Sequence, residues 1–156
     1  MAFNEENFTV VDWFKKILIK NYGNFSGRAR RKEFWYFNLG LLIVLFPLIA
    51  LMFYALSVEL ISLFIVAYLV IILILLATFI PGLSVSIRRL HDINKSGWFY
   101  LVFLVPLVGS FILLIWFLME GTPGSNHYGP DPKRGRMRFD FENLHFTELP
   151  GEAQNH

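Results

Sequence analysis

Apolar residues run through this chain in three uncharged stretches, Phe34 to Ser57, Leu60 to Ile87 and Ser96 to Met119. Each meets or exceeds the roughly 20 residues that a helix needs to cross a hydrocarbon core of about 30 Å. No soluble domain of this size keeps three such stretches with only short polar breaks between them. The pattern predicts an all-α integral membrane protein.

Ahead of the first stretch the period changes. Between Thr9 and Asn21, the residues Val10, Trp13, Phe14, Ile17 and Leu18 share one helical face, and Asp12, Lys16 and Lys20 line the other. Thr9 is the expected N-cap and Tyr22-Gly23 the expected stop. A helix with lysines opposite Trp and Phe suits the membrane interface, and the same face also suits contact with the bundle.

The expected organisation follows. Residues 1–33 form a cytoplasmic amphipathic helix and basic segment, 34–119 a transmembrane bundle, and 120–156 a polar Gly/Pro-rich segment and tail. Hydrophobic helices are expected near 34–57, 60–83 and 97–119. The aromatic cluster Phe34-Trp35-Tyr36-Phe37 suits an interfacial belt, and the break at Ser57 to Glu59 is short enough for a tight hairpin. Helix two is expected to bend or break at Pro81-Gly82, with Ser84 and Ser86 leading into a loop. Pro106 and Gly109 interrupt the third stretch, which reads as one kinked span or a re-entrant pair of half-helices. Length favours a span, because 23 residues from Gly97 to Met119 cover about 34 Å. Met137, Phe139 and Phe141 alternate with charged residues in a weak strand-like pattern.

Composition sharpens this picture in two places. Cysteine is absent, which excludes disulfides, thiolate catalysis and cysteine-ligated metals. The net charge of +2 conceals a segregation of the 14 basic residues: seven precede the first stretch, three lie between the second and third, and four follow the third. Counting bases near span ends places the N-terminus in the cytoplasm. A re-entrant third segment would place all 14 basic residues on that side.

Two basic clusters are the candidate binding residues. Arg28, Arg30, Arg31 and Lys32 directly precede the first span, and Arg88, Arg89, His91 and Lys95 lie between the second and third. Such clusters attract anionic headgroups by about 1 kcal/mol per basic residue. If neighbours in a compact bundle, the arginines would surround one phosphate. The same charges also serve simply as a topology signal. Asp92, Asn94, Ser96 and Gly97 match the start of a calcium loop, but the position for its bidentate glutamate is Phe103. These residues read more simply as turn-formers and caps. Asn126 or Tyr128 would dock on the Arg88–His91 segment if both lie on one side. The apolar stretches hold no ionisable residue, which disfavours a proton or ion pathway.

Four segments carry a resemblance: NYGNFSGRARRKEFWYF from Asn21 to Phe37, RRLHDINKSGW from Arg88 to Trp98, Pro106-Leu107-Val108-Gly109, and GTPGSNHYGPDP from Gly121 to Pro132. In this order they resemble the bacterial inner-membrane family of unknown function typified by YhaH and YhaI. The resemblance covers roughly residues 10–132 and implies a small multi-pass protein of the bacterial cytoplasmic membrane, with no established activity, cofactor or catalytic residue.

The expected role is non-enzymatic: a membrane scaffold or accessory subunit that binds anionic lipid, a protein partner or further copies of itself through its basic clusters. No catalytic residue, metal ligand, cofactor or nucleic-acid partner is expected. The alternatives are a membrane enzyme acting on a lipid headgroup with His91 and Asp92, and an oligomeric pore or transporter.

Overall fold

The computed structural model describes residues 8–132, and all regular structure among them is helical. The alternation at Met137, Phe139 and Phe141 lies outside the described residues. α1 spans Val10–Lys15, and its last turn widens into a π-helical turn over Lys16–Lys20. Thr9 and Asp12 close a reciprocal capping box at its start, satisfying backbone donors that the first turn leaves open. The apolar face turns inward: Trp13 and Ile17 are buried, and the Phe14 ring stacks on Phe37 with centroids 5.3 Å apart.

α2 spans Arg31–Ser57 and α3 spans Ile61–Asp92. Glu59 takes a positive φ in the short turn between them. They pair antiparallel, so that Glu33 in the first turn of α2 meets Arg88 near the end of α3 at 2.8 Å. Ala55 and Ala67 are buried beside the turn, where small side chains permit close approach. Away from these contacts the two helices are bare, and their most apolar windows are only 6% and 11% buried. A soluble core helix would be covered there. Both are long and apolar enough to cross a membrane.

The expected break at Pro81 is absent, and α3 continues through it to Asp92. Proline removes the amide that would bond the carbonyl four residues back, here Ala77. The Tyr22 hydroxyl donates to that carbonyl at 3.0 Å and replaces the lost bond. Ser84 and Ser86 therefore lie within the helix rather than in a loop. Ser84 Oγ donates to the Asn24 carbonyl at 2.5 Å and ties the turn after α1 onto α3.

The third apolar stretch is not one rod. A 3-10 helix over Gly97–Leu104 meets a turn at Val105–Leu107, and α4 runs back over Val108–Leu118. Leu107 takes φ 63° in this turn. A Cβ at Gly109 would sit inside van der Waals contact with the Val102 carbonyl and 3.2 Å from Phe103 Cα. The two arms are in backbone contact, and the stretch leaves and re-enters at one end of the helix pair. Leu113 and Phe117 of α4 join Ile17, Phe34, Phe37, Val85, Leu90 and Ile93 in one buried cluster near that end.

Candidate functional site

Beyond that apolar cluster, the start of α2, the end of α3 and residues 119–132 close into a polar knot. Its centre is Asp92, at the last position of α3 and buried. Arg28 Nε donates to Asp92 Oδ1 at 2.9 Å, and Arg89 Nη1 donates to Asp92 Oδ2. The remaining donors of both guanidiniums reach main-chain carbonyls. Arg28 Nη1 and Nη2 donate to Gly124 and Thr122, each at 2.6 Å. Arg89 Nε donates to Phe117 at 3.3 Å and its Nη2 to Met119, at the open carbonyl end of α4. The planar guanidinium fork suits such multi-acceptor recognition, which a lysine could not reproduce.

The segment after α4 seals the knot. The Asp92 carbonyl accepts from the Thr122 amide at 2.8 Å and from its hydroxyl at 3.1 Å. Asn126 Nδ2 donates to the His91 carbonyl at 2.9 Å, and the Tyr128 ring stacks on the imidazole with centroids 3.8 Å apart. Docking of both Asn126 and Tyr128 is the arrangement the sequence suggested. Gly121 is required by closeness, since a Cβ there would lie 2.6 Å from Asp92 Cγ.

Of the sequence-predicted binding residues, Arg28, Arg89 and His91 come together here. The anion that Arg28 and Arg89 surround is the Asp92 carboxylate, where a shared phosphate had been expected. Arg88 is placed apart, on Glu33, which Lys16 also approaches at 3.4 Å. Arg30 donates to the Pro132 carbonyl. Arg31 and Lys32 are exposed on the first turn of α2. The Lys95 ammonium lies 4.6 Å from the Trp116 ring centroid and 5.3 Å from that of Phe99, within cation–π range.

Asp92 is not the turn-former that its neighbours suggested. Its carboxylate is fully engaged by cations, which also takes it away from the calcium-loop pattern. Ser96 does cap, accepting from the Trp98 amide at 3.4 Å. At the polar end of α3, the half-buried His91 imidazole faces the Gly27 carbonyl. Nδ1 lies 3.2 Å from that carbonyl, which assigns it the proton in the neutral ring. His127 is exposed and stands outside the knot.

Bare apolar helices with a polar end closed by the chain's own arginines define a small helical membrane protein. The chain belongs to the family described as Protein of unknown function (DUF805), which matches residues 22–130. That range contains Arg28, Arg89, His91, Asp92, Thr122, Asn126 and Tyr128. The chain is 48% identical over 130 residues to the inner membrane protein YhaI of Escherichia coli (strain K12), covering 80% of this chain and 98% of that relative. It is 42% identical over 127 residues to the inner membrane protein YhaH of the same organism, covering 79% and 98%. No solved structure matches.

Proposed function

We propose that this protein is a multi-pass component of the bacterial inner membrane, acting as a non-enzymatic scaffold that holds anionic lipid at its cytoplasmic end. In this reading α2 and α3 cross the bilayer, and the hairpin of the 3-10 helix and α4 dips in from the cytoplasmic side and returns. α1 lies along the interface, with the exposed Lys15 toward the headgroups. The positive-inside rule sets the orientation, because the basic segments around Arg28 and Arg88 belong to one end of the helix pair.

The observation that carries the non-enzymatic reading is the closure of Asp92. A catalytic carboxylate needs a proton to move or a substrate to meet, whereas both oxygens here are held by buried guanidiniums. Within the two basic clusters, Arg31 and Lys32 are exposed cations positioned to meet a headgroup. They stand at the N-terminus of a 27-residue helix, whose open amides also favour phosphate.

Two measurements test this reading. The cysteine-free sequence lets single cysteines report topology. Lys32→Cys and Ser125→Cys should be protected from an impermeant reagent added on the periplasmic side, and Ser57→Cys should react. Labelling of Ser125→Cys from the periplasm, with Lys32→Cys protected, would turn the third segment into a full span. Replacing Arg31 and Lys32 together by glutamine should lower co-purifying anionic lipid by roughly thirtyfold, from about 1 kcal/mol for each of the two basic residues. Unchanged retention in the folded double variant removes the lipid-holding role.

A further inference from the structure

The hairpin has a length that matters. Eight residues of 3-10 helix rise about 16 Å at about 2.0 Å each. Eleven residues of α4 rise about 16 Å at about 1.5 Å each. Half of a hydrocarbon core of about 30 Å is about 15 Å. Both arms therefore match one leaflet.

The chemistry along the hairpin agrees with that depth. Its mouth carries interfacial anchors: Trp98, 80% exposed, and Lys95 beside Phe99 and Trp116. Its tip carries none, because residues 101–109 are all apolar and Leu104 and Leu107 are 74% and 81% exposed. The far turn between α2 and α3, by contrast, has Ser57 and Glu59 to meet water. The backbone of the tip is also prepared for hydrocarbon. The carbonyls of Val105, Pro106 and Leu107 accept from Gly109 N at 3.0 Å, Val108 N at 2.7 Å and Ser110 Oγ at 3.0 Å. Each polar group satisfied in this way removes a cost of several kcal/mol that an open amide or carbonyl would carry in hydrocarbon.

We infer that the protein is a wedge confined to one leaflet: it displaces acyl chains from the cytoplasmic leaflet and thereby favours membrane whose cytoplasmic face is convex. The inference rests on the re-entrant reading above. The cytoplasmic half holds the α2 and α3 rods plus both hairpin arms, and the outer half holds α2 and α3 alone. At helix diameters of about 10–12 Å, the excess cross-section is roughly 160–220 Å². Area added to one leaflet bends the bilayer away from the opposite one. The occupant of the bare hairpin surface is therefore lipid of a single leaflet, and the preferred partner is a curved lipid surface.

The test uses the full chain reconstituted in vesicles of phosphatidylethanolamine and phosphatidylglycerol spanning small to large diameters. Ser26→Cys, exposed at the same end and labelled afterwards with an impermeant dye, counts only molecules whose basic end faces outward. A spin label on Leu104→Cys in the same vesicles reports the depth of the tip. The expected result is a midplane label and about twofold or greater density per area on the smallest vesicles, in keeping with the curvature sensitivity of one-sided insertion. Density independent of diameter with the label at the midplane overturns the wedge and leaves the re-entrant reading standing. A label at either surface overturns both.

Discussion

Asp92→Asn is expected to destabilise the protein by about 3–5 kcal/mol, the usual consequence of leaving a buried charge uncompensated. Arg28 and Arg89 expose 2% and 0% of their side chains, so water cannot replace the lost carboxylate charge. Asparagine retains one oxygen acceptor but brings an amide that one of the two guanidiniums would meet donor to donor. Sequence logic pointed the other way, since Asn nearly equals Asp as a cap or turn residue. The check is thermal unfolding in detergent, together with exposure of the 121–132 segment to protease. Adding Arg89→Gln should restore part of the loss, because the pair then leaves one fewer unmatched cation. Wild-type stability in Asp92→Asn would mean that the knot contributes nothing to the fold.

The second large effect belongs to Gly109→Ala. In an open helix this change gains about 0.5–1 kcal/mol by propensity. Here the new methyl would stand 2.8 Å from the Val102 carbonyl carbon, which belongs to main chain and cannot swing aside. Overpacking of this kind costs typically 1–3 kcal/mol and occasionally more, so the clash outweighs the propensity. The hairpin should open and the variant lose stability by about 2 kcal/mol or more. Gly23→Ala is the matched control, its nearest foreign atom being 4.0 Å away. Equal stability of the two variants would contradict the close contact of the hairpin arms.

The sequence made the apolar helices, the capped start of α1 and the α2–α3 turn legible, because each depends on local pattern. What escaped depends on distant partners. The continuation through Pro81 needed Tyr22, 55 residues before Ala77, to take the carbonyl that Ala77 leaves free. The role of Asp92 needed Arg28, 64 residues away. A lone acid among bases was the available signal, and its match to a turn pattern obscured it. Reversal of the third segment was hard to read for a different reason. Every position around it is apolar, so period is silent, and the positive φ falls on Leu107 rather than on a glycine. The basic clusters are plain in the sequence, but charge alone does not distinguish an internal carboxylate from an external phosphate.

The contact between Arg28 and the Gly124 carbonyl joins residues 96 positions apart. A ribosome adding about 5–20 residues per second needs roughly 5–20 s to travel from one to the other. During that interval α2 and α3 are already available to enter the bilayer, while the guanidinium of Arg28 still lacks its final acceptors. The polar end is therefore closed last, after the apolar helices, and a chain interrupted between Asp92 and Thr122 leaves Arg28 with its carboxylate partner but without the Thr122 and Gly124 carbonyls. Closure of this end is thus the latest step of the described fold, set by carbonyls that emerge only after α4 is complete.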